Sequence, residues 1–199
     1  MAARPTRHLD LGCGDCPRNP YCFDDLHGID IAPRGNSHPG QVRQANLAVE
    51  PIPFGDRHFD GVSAYDFLEH VPRVLPTTDG RSTRLPFVEL MNEISRVLVP
   101  GGRLHAITPC YPAAEAFQDP THVNIITDRT HLYFTGDAPM ARMYGFTGHF
   151  RALRVEWVVF HDALEPARSP TLRQRWRRLN YPRKGHLSQL LWEVESTSV

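Results

Sequence analysis

The sequence predicts an α/β fold built on a mostly parallel sheet that carries its ligand at the carboxyl ends of the strands. Three observations lead there. His8–Gly14, HLDLGCG, is an apolar run ended by two glycines one residue apart, the pattern of a buried strand entering a tight turn. Sixteen residues after Gly14, HGIDIAP closes on Asp30, a carboxylate at the end of a second strand and placed to accept from a pair of ribose hydroxyls. Downstream, strand-like and helix-like segments alternate, as they do when parallel strands are joined by crossovers.

His8–Leu11 is the first strand. CPRNPYCFDD (Cys16–Asp25) holds two prolines and no helical period, so the first crossover is short or irregular. Leu26–Ile31 is the second strand, followed by the turn-rich loop APRGNSHPG. Gln41–Leu47 is a weak third strand, and Val49–Arg57 a proline-rich connection. Phe59–Ala64 reads as strand four, with Tyr65–His70 immediately after it. Val71–Pro86 contains TTDGRST, a polar surface loop. Phe87–Leu98 repeats apolar residues at helical spacing (Phe87, Leu90, Met91, Ile94, Val97) and is stopped by Pro100-Gly101-Gly102. Arg103–Thr108 is strand five. Cys110–Thr135 is irregular, and Ala138–Tyr144 is a helix capped by Gly145. Phe150–Phe160 alternates as strand six. Ser169–Asn180 is a helix with Pro170 in its first turn, and Leu187–Val194 a last strand, antiparallel and inserted near the sheet edge.

The 199 residues fit one domain, with 110–135 on the substrate side and 162–186 as a basic connector or lid. The hydrophobic share of 41% can build a full core, and the formal net charge of zero argues against a nucleic-acid or anionic-membrane partner. Pro166–His186 nevertheless carries seven basic residues and no acidic one, interleaved with Trp176 and Tyr181. That run reads as an amphipathic helix face; its functional alternative is a grip on RNA or phosphate. The N-terminus lacks a signal peptide's apolar core and no apolar run reaches spanning length, so a cytoplasmic chain with no membrane partner is expected. The four cysteines read as free thiols; Cys13 and Cys16 form a CxxC without a second ligand pair, and no metal site is expected.

Taken in order, HLDLGCG, HGIDIAP, QANL, PIPFGDRHFDGVSAYDFLEHV and ISRVLVPGGRLHAITP resemble the class I S-adenosylmethionine-dependent methyltransferases, in particular their type 11-like branch. The resemblance covers Leu9 to Pro109. It implies a Rossmann-like, mostly parallel seven-stranded sheet with one antiparallel strand near its edge and helices on both faces. It implies S-adenosylmethionine as cofactor and methyl transfer by in-line displacement. By the same resemblance, Asp10, Gly12 and Gly14 form the turn under the methionine half. Asp30 binds the ribose and Ile31 packs on adenine. Asn46 and Leu47 meet the adenine edge, and Tyr65 lines the pocket near the sulfonium. Two positions depart from the family pattern: Cys16-Pro17 stand where a third glycine is usual, and Asn46 where an Asp is usual. Pro17 also removes the GxGxxG fingerprint of a dinucleotide enzyme.

Beyond strand five, AFQDPTHVN (Ala116–Asn124) offers Asp119, Thr121 and His122 to orient or deprotonate an acceptor; its plain reading is a proline turn with an Asp cap and a packed histidine. His70 starts a helix near the cofactor pocket. The expected activity is methylation of a small-molecule or sugar-like acceptor. The alternatives are a binding module without catalysis and a methyltransferase of RNA or another macromolecule that uses the arginine-rich segment. The sequence leaves the acceptor atom and the oligomeric state open.

Overall fold

The computed structural model describes residues 4–33, 41–164, 171–173, 176 and 187–197. In chain order the strands are β1 (Arg7–Leu11), β2 (Asp25–Asp30), β3 (Val42–Gln44), β4 (Phe59–Tyr65), β5 (Leu75–Pro76), β6 (Thr83–Arg84), β7 (Leu98–Pro109), β8 (Phe150–Val158) and β9 (Gln189–Ser196). Seven of them form one sheet in the order β3-β2-β1-β4-β7-β9-β8. Neighbours from β3 to β7 pair in parallel, and β9 runs antiparallel to both β7 and β8. The chain therefore steps outward from β1 to β3 and returns to the other side of β1. That reversal opens a crevice beyond the carboxyl ends of β1 and β4, the place where open α/β sheets bind ligands.

Strand side chains alternate between the two faces of the sheet. On one face Leu9, Leu11, Val62, Ala64, Leu104 and Ala106 belong to the main apolar core. It is completed by Phe87, Leu90, Met91, Ile94 and Val97 from the helix α1 (Pro86–Val97). Pro86 starts α1 at a position whose N–H has no helical partner anyway, and Leu98 leaves it in extended backbone, with Gly101 at φ 79 in the irregular start of the following strand. Arg96, near the end of α1, donates to Glu93, to Asp56 and to the carbonyls of Ile52 and Phe54. It thereby pins the proline-rich connection against the helix.

The opposite face near β1 is covered by the irregular loop between β1 and β2, where Pro17 and Pro20 break any crossover helix. Two glycines make room for it. A Cβ on Gly28 would lie 2.5 Å from Cys13 Sγ and 2.7 Å from Pro17 Cγ; one on Gly61 would lie 2.8 Å from the Phe23 ring. Tyr21 and Phe23 stack with centroids 5.4 Å apart and cover His8. Beneath them runs a buried polar row. Ser63 Oγ donates to Asp10 Oδ1 at 2.6 Å, which leaves His8 Nε2 to donate to Ser63 Oγ at 2.8 Å. Burial pushes His8 down to about 3 and Asp10 up to about 6.

Several elements differ from the sequence expectation in extent. The expected polar loop 71–86 contains the β5–β6 hairpin, whose turn is held by Thr77 and Asp79. The third strand stops at Gln44, because the Asn46 side chain accepts from Ala48 N and turns the chain. Between Pro139 and Gly145 only a short 3₁₀ turn, Met140–Tyr144, forms; Gly145 caps it at φ 88. Most of the expected helix Ser169–Asn180, most of the basic connector 162–186 and most of the loop after β2 lie outside the described residues. Helices were expected on both faces; the described residues put the long helix on one face and the 13–24 loop on the other. Among the described residues no helix is long and apolar enough to cross a membrane.

Candidate active site

The glycine turn after β1 folds back onto the end of β2. Gly12 N and Cys13 N both donate to Ile29 O, at 2.8 and 3.2 Å. Gly12 (φ 65) and Gly14 (φ 57) occupy left-handed backbone that side chains disfavour, but their surroundings differ. A Cβ on Gly12 would sit 2.5 Å from Phe67 Cδ2, whereas around Gly14 there is no atom within 4 Å of that position. Gly12 is a packing requirement, and Gly14 leaves open space against the backbone.

Beyond the turn lies a cavity of about 290 Å³ whose walls include Gly12, Asp30, Ile31, Asn46 and Leu47. Asp30 closes the turn: Gly14 N donates to its Oδ2 and Ala32 N to its Oδ1, each at 2.9 Å. Each carboxylate oxygen can accept more than one hydrogen bond, so the pair keeps capacity for two ligand hydroxyls. Ile31 is 60% exposed, an apolar surface offered to a flat ring. Because Asn46 Oδ1 accepts from Ala48 N at 3.1 Å, the amide NH₂ is the freer end of that side chain. It suits a ring nitrogen acceptor rather than the amino group that an Asp would meet. Asp66, Phe67, His70 and Val71 complete the wall. Asp66 and Phe67 had no sequence signal of their own beyond standing at the end of β4, where φ 48 at Asp66 turns the chain across the crevice.

Gly14 stands in the turn and not in the cavity wall, and two further expected cofactor residues lie elsewhere. Asp10 is 1% exposed, and its Oδ2 accepts from Arg18 N at 2.8 Å. It anchors the exit of the loop from behind instead of facing the cavity. Tyr65 is on the same face of β4 as Ser63; its hydroxyl donates to Leu164 O at 2.7 Å and its ring lies 4.6 Å under the Arg18 guanidinium. By register Tyr65 shares a face of the sheet with Asp10 and Asp30, but its hydroxyl is engaged by Leu164 and the wall position falls to Asp66 and Phe67. The CxxC also has a packing role: Cys13 Sγ sits over Gly28, and burial pushes its thiol up to about 12.

A polar cluster borders the cavity at His70. Val123 N and Asn124 N donate to Glu69 O at 3.0 and 2.9 Å, and Asn124 Nδ2 donates to Leu68 O at 3.1 Å. These bonds bring the 119–124 segment beside the turn Leu68–His70. His122 Nε2 lies 4.0 Å from Glu69 Oε1 and 3.9 Å from Asp119 Oδ2. Asp119 caps its own turn, accepting from Thr121 N at 2.8 Å and Thr121 Oγ1 at 2.6 Å, and those bonds hold its carboxyl below the usual range. Burial pushes Glu69, 1% exposed, up to about 7. The Asp-cap reading of Asp119 is therefore realised, and its free oxygen still faces His122. A larger cavity of about 500 Å³, between Arg73, Phe87, Thr130 and Tyr133, contains none of the expected residues. The chemistry-bearing groups gather at the smaller one.

Residues 9–106 match the sequence family described as "Methyltransferase domain". No curated protein matches the sequence significantly. Among solved structures, the chain resembles a SAM-dependent methyltransferase from Archaeoglobus fulgidus, with 14% identity, TM-score 0.57, and 96% of this chain and 86% of that one covered. It also resembles the Haloferax volcanii complex between the Trm112 methyltransferase activator and a methyltransferase, with 15% identity, TM-score 0.57, and coverage of 98% and 84%. A geranyl diphosphate methyltransferase in complex with SAM matches at 14% identity and TM-score 0.51, with coverage of 96% and 78%.

Proposed function

We propose that this chain, whose residues 9–106 belong to a methyltransferase-domain family, is a class I S-adenosylmethionine-dependent methyltransferase that methylates a hydroxyl of a small, sugar-like acceptor docked beside His70 and His122. One observation carries the acceptor side of this reading: the Glu69–Asp119–His122 cluster stands at the edge of the cavity that holds Asp30. Methyl transfer needs a proton acceptor only when the acceptor group is a hydroxyl or a protonated amine.

The residues present fit the cofactor. The open backbone at Gly14 leaves room for its amino-acid half, the Asp30 carboxylate suits two ribose hydroxyls, and Ile31 and Asn46 suit a purine's face and edge. When bound, S-adenosylmethionine supplies an electrophilic methyl group on a cationic sulfur. The remaining work is alignment, because an in-line displacement gains chiefly from holding the reacting atoms in register. Gly12 seated on Phe67, and Asp30 tying Gly14 to Ala32, keep that frame in place before any ligand arrives. On the acceptor side the hydroxyl proton leaves through Asp119, at the solvent end of the cluster that His122 completes.

Calorimetry with S-adenosylmethionine tests the cofactor half. Binding in the micromolar range is expected for the wild type, with a loss of at least tenfold in Asp30→Ala. Absence of binding at millimolar cofactor overturns it. A panel of hydroxylated small molecules, with RNA as the competing acceptor, tests the other half by transfer of labelled methyl. Label appearing only in RNA, with salt-sensitive retention, would refute the small-acceptor reading.

A further inference from the structure

We infer that Glu69, His70 and His122 form a binding site for one divalent transition-metal cation at the rim of the cofactor cavity. There the ion holds and acidifies the acceptor hydroxyl, a role that rests on the methyl-transfer reading above. The cysteine spacing led to the expectation of no metal; the fold assembles a different donor set from two segments far apart in the chain. One potential ligand atom from each of the three residues lies within 4.8 Å of the other two.

The donors are oriented and short of partners. Glu69 Oε2 accepts from Thr108 Oγ1 at 2.9 Å, but Oε1 is buried with no hydrogen-bond partner, and so is His122 Nδ1. A buried, unpartnered carboxylate oxygen is costly and calls for a cation or donor. His122 does not supply it, since 4.0 Å is too long for a hydrogen bond. Around His70, Thr121 Oγ1 donates to Asp119, so at 3.0 Å it can only accept from His70 Nδ1; Thr121 O offers a second acceptor at 3.3 Å. That fixes the proton on Nδ1 and leaves Nε2 with its lone pair, the outer-shell arrangement that orients ligating histidines. A tetrahedral ion with bonds of about 2.1 Å separates its ligands by roughly 3.4 Å, so small side-chain rotations close the set. Two imidazoles and one carboxylate suit Zn²⁺, Mn²⁺, Co²⁺ or Fe²⁺ better than Mg²⁺ or Ca²⁺.

In the reaction the acceptor hydroxyl binds the cation and loses its proton to the Asp119 carboxylate, which passes it to solvent. The oxygen then forms the new C–O bond as the methyl C–S bond breaks with its electron pair kept on sulfur. A methyl ether, S-adenosylhomocysteine and one proton result, with no change in the metal's oxidation state.

The test titrates Mn²⁺ and Zn²⁺, each alone, into metal-free full-length protein, followed by calorimetry and by the Mn²⁺ spin-resonance signal. One site per chain is expected. Glu69→Gln and His122→Ala should each weaken it at least tenfold while S-adenosylmethionine affinity, measured on the same samples, changes less than threefold and confirms the fold. No saturable binding at millimolar metal overturns the site, and so does unweakened binding in both variants. Loss of S-adenosylmethionine binding in the wild type, with metal binding intact, would sink the cofactor reading and leave the metal site standing.

Discussion

Gly12→Ala and Gly14→Ala make the same chemical change two residues apart, yet the structure assigns them different consequences. Both force a Cβ into left-handed backbone, at a cost of about 1–2 kcal/mol each. At Gly14 nothing else is within reach, so that is the whole stability cost. At Gly12 the new methyl lies 2.5 Å from Phe67 Cδ2, and moving the ring against a packed wall adds about 1–3 kcal/mol. Urea unfolding should therefore find Gly12→Ala the less stable by that increment, and Phe67→Ala in the same chain should recover most of it. Ligand binding should rank differently. Gly14→Ala places its methyl in the space a ligand would use, and its S-adenosylmethionine affinity should fall at least tenfold with no loss of stability beyond that backbone cost. Equal destabilisation by the two substitutions would refute the contact with Phe67. Unchanged affinity in Gly14→Ala would refute the placement of ligand against that backbone.

Three further outcomes are expected. Asp10 has a folded pKa raised to about 6 by burial, so its contribution to stability is complete below 3.8 and is lost as pH rises through 6. At about 1.4 kcal/mol per unit this amounts to roughly 3 kcal/mol, and Asp10→Asn should remove that part of the pH 4–7 stability profile; parallel curves would count against it. Tyr65→Phe deletes the bond to Leu164 O and should cost about 1 kcal/mol of stability while S-adenosylmethionine affinity stays within threefold; a large loss of affinity would return Tyr65 to the cavity wall. His122→Ala, assayed once an acceptor is found, should lower turnover by about 10²–10⁴, and a loss below tenfold would remove His122 from the acceptor site.

The local signals translated well where neighbouring residues suffice to set the geometry. The glycine turn, the carboxylate ending β2, the stop after α1 and the inserted antiparallel strand all came from short stretches whose backbone preferences act within a few residues. Asn46 and Leu47 reach the cavity because the turn they start lies beside Asp30. Asp10 and Tyr65 share Asp30's face of the sheet by register, but partners elsewhere in the chain engage them, Arg18 N and Ser63 for Asp10 and Leu164 O for Tyr65, and no local pattern shows those partners. The sequence showed a proline-broken crossover; its seat depended on Gly28 and Gly61, whose lack of a Cβ matters only where that loop crosses them. The Glu69–His70–His122 cluster was the least legible feature. Its two segments are joined by backbone bonds from Val123 and Asn124 to Glu69 O, and such bonds are available to every residue type. From sequence alone came the alternation of strands and crossovers, which rests on local turns and periodicity, and, through the resemblance of its motifs, the cofactor. Where the acceptor meets polar chemistry was decided by the tertiary structure, because long-range hydrogen bonds bring those side chains together.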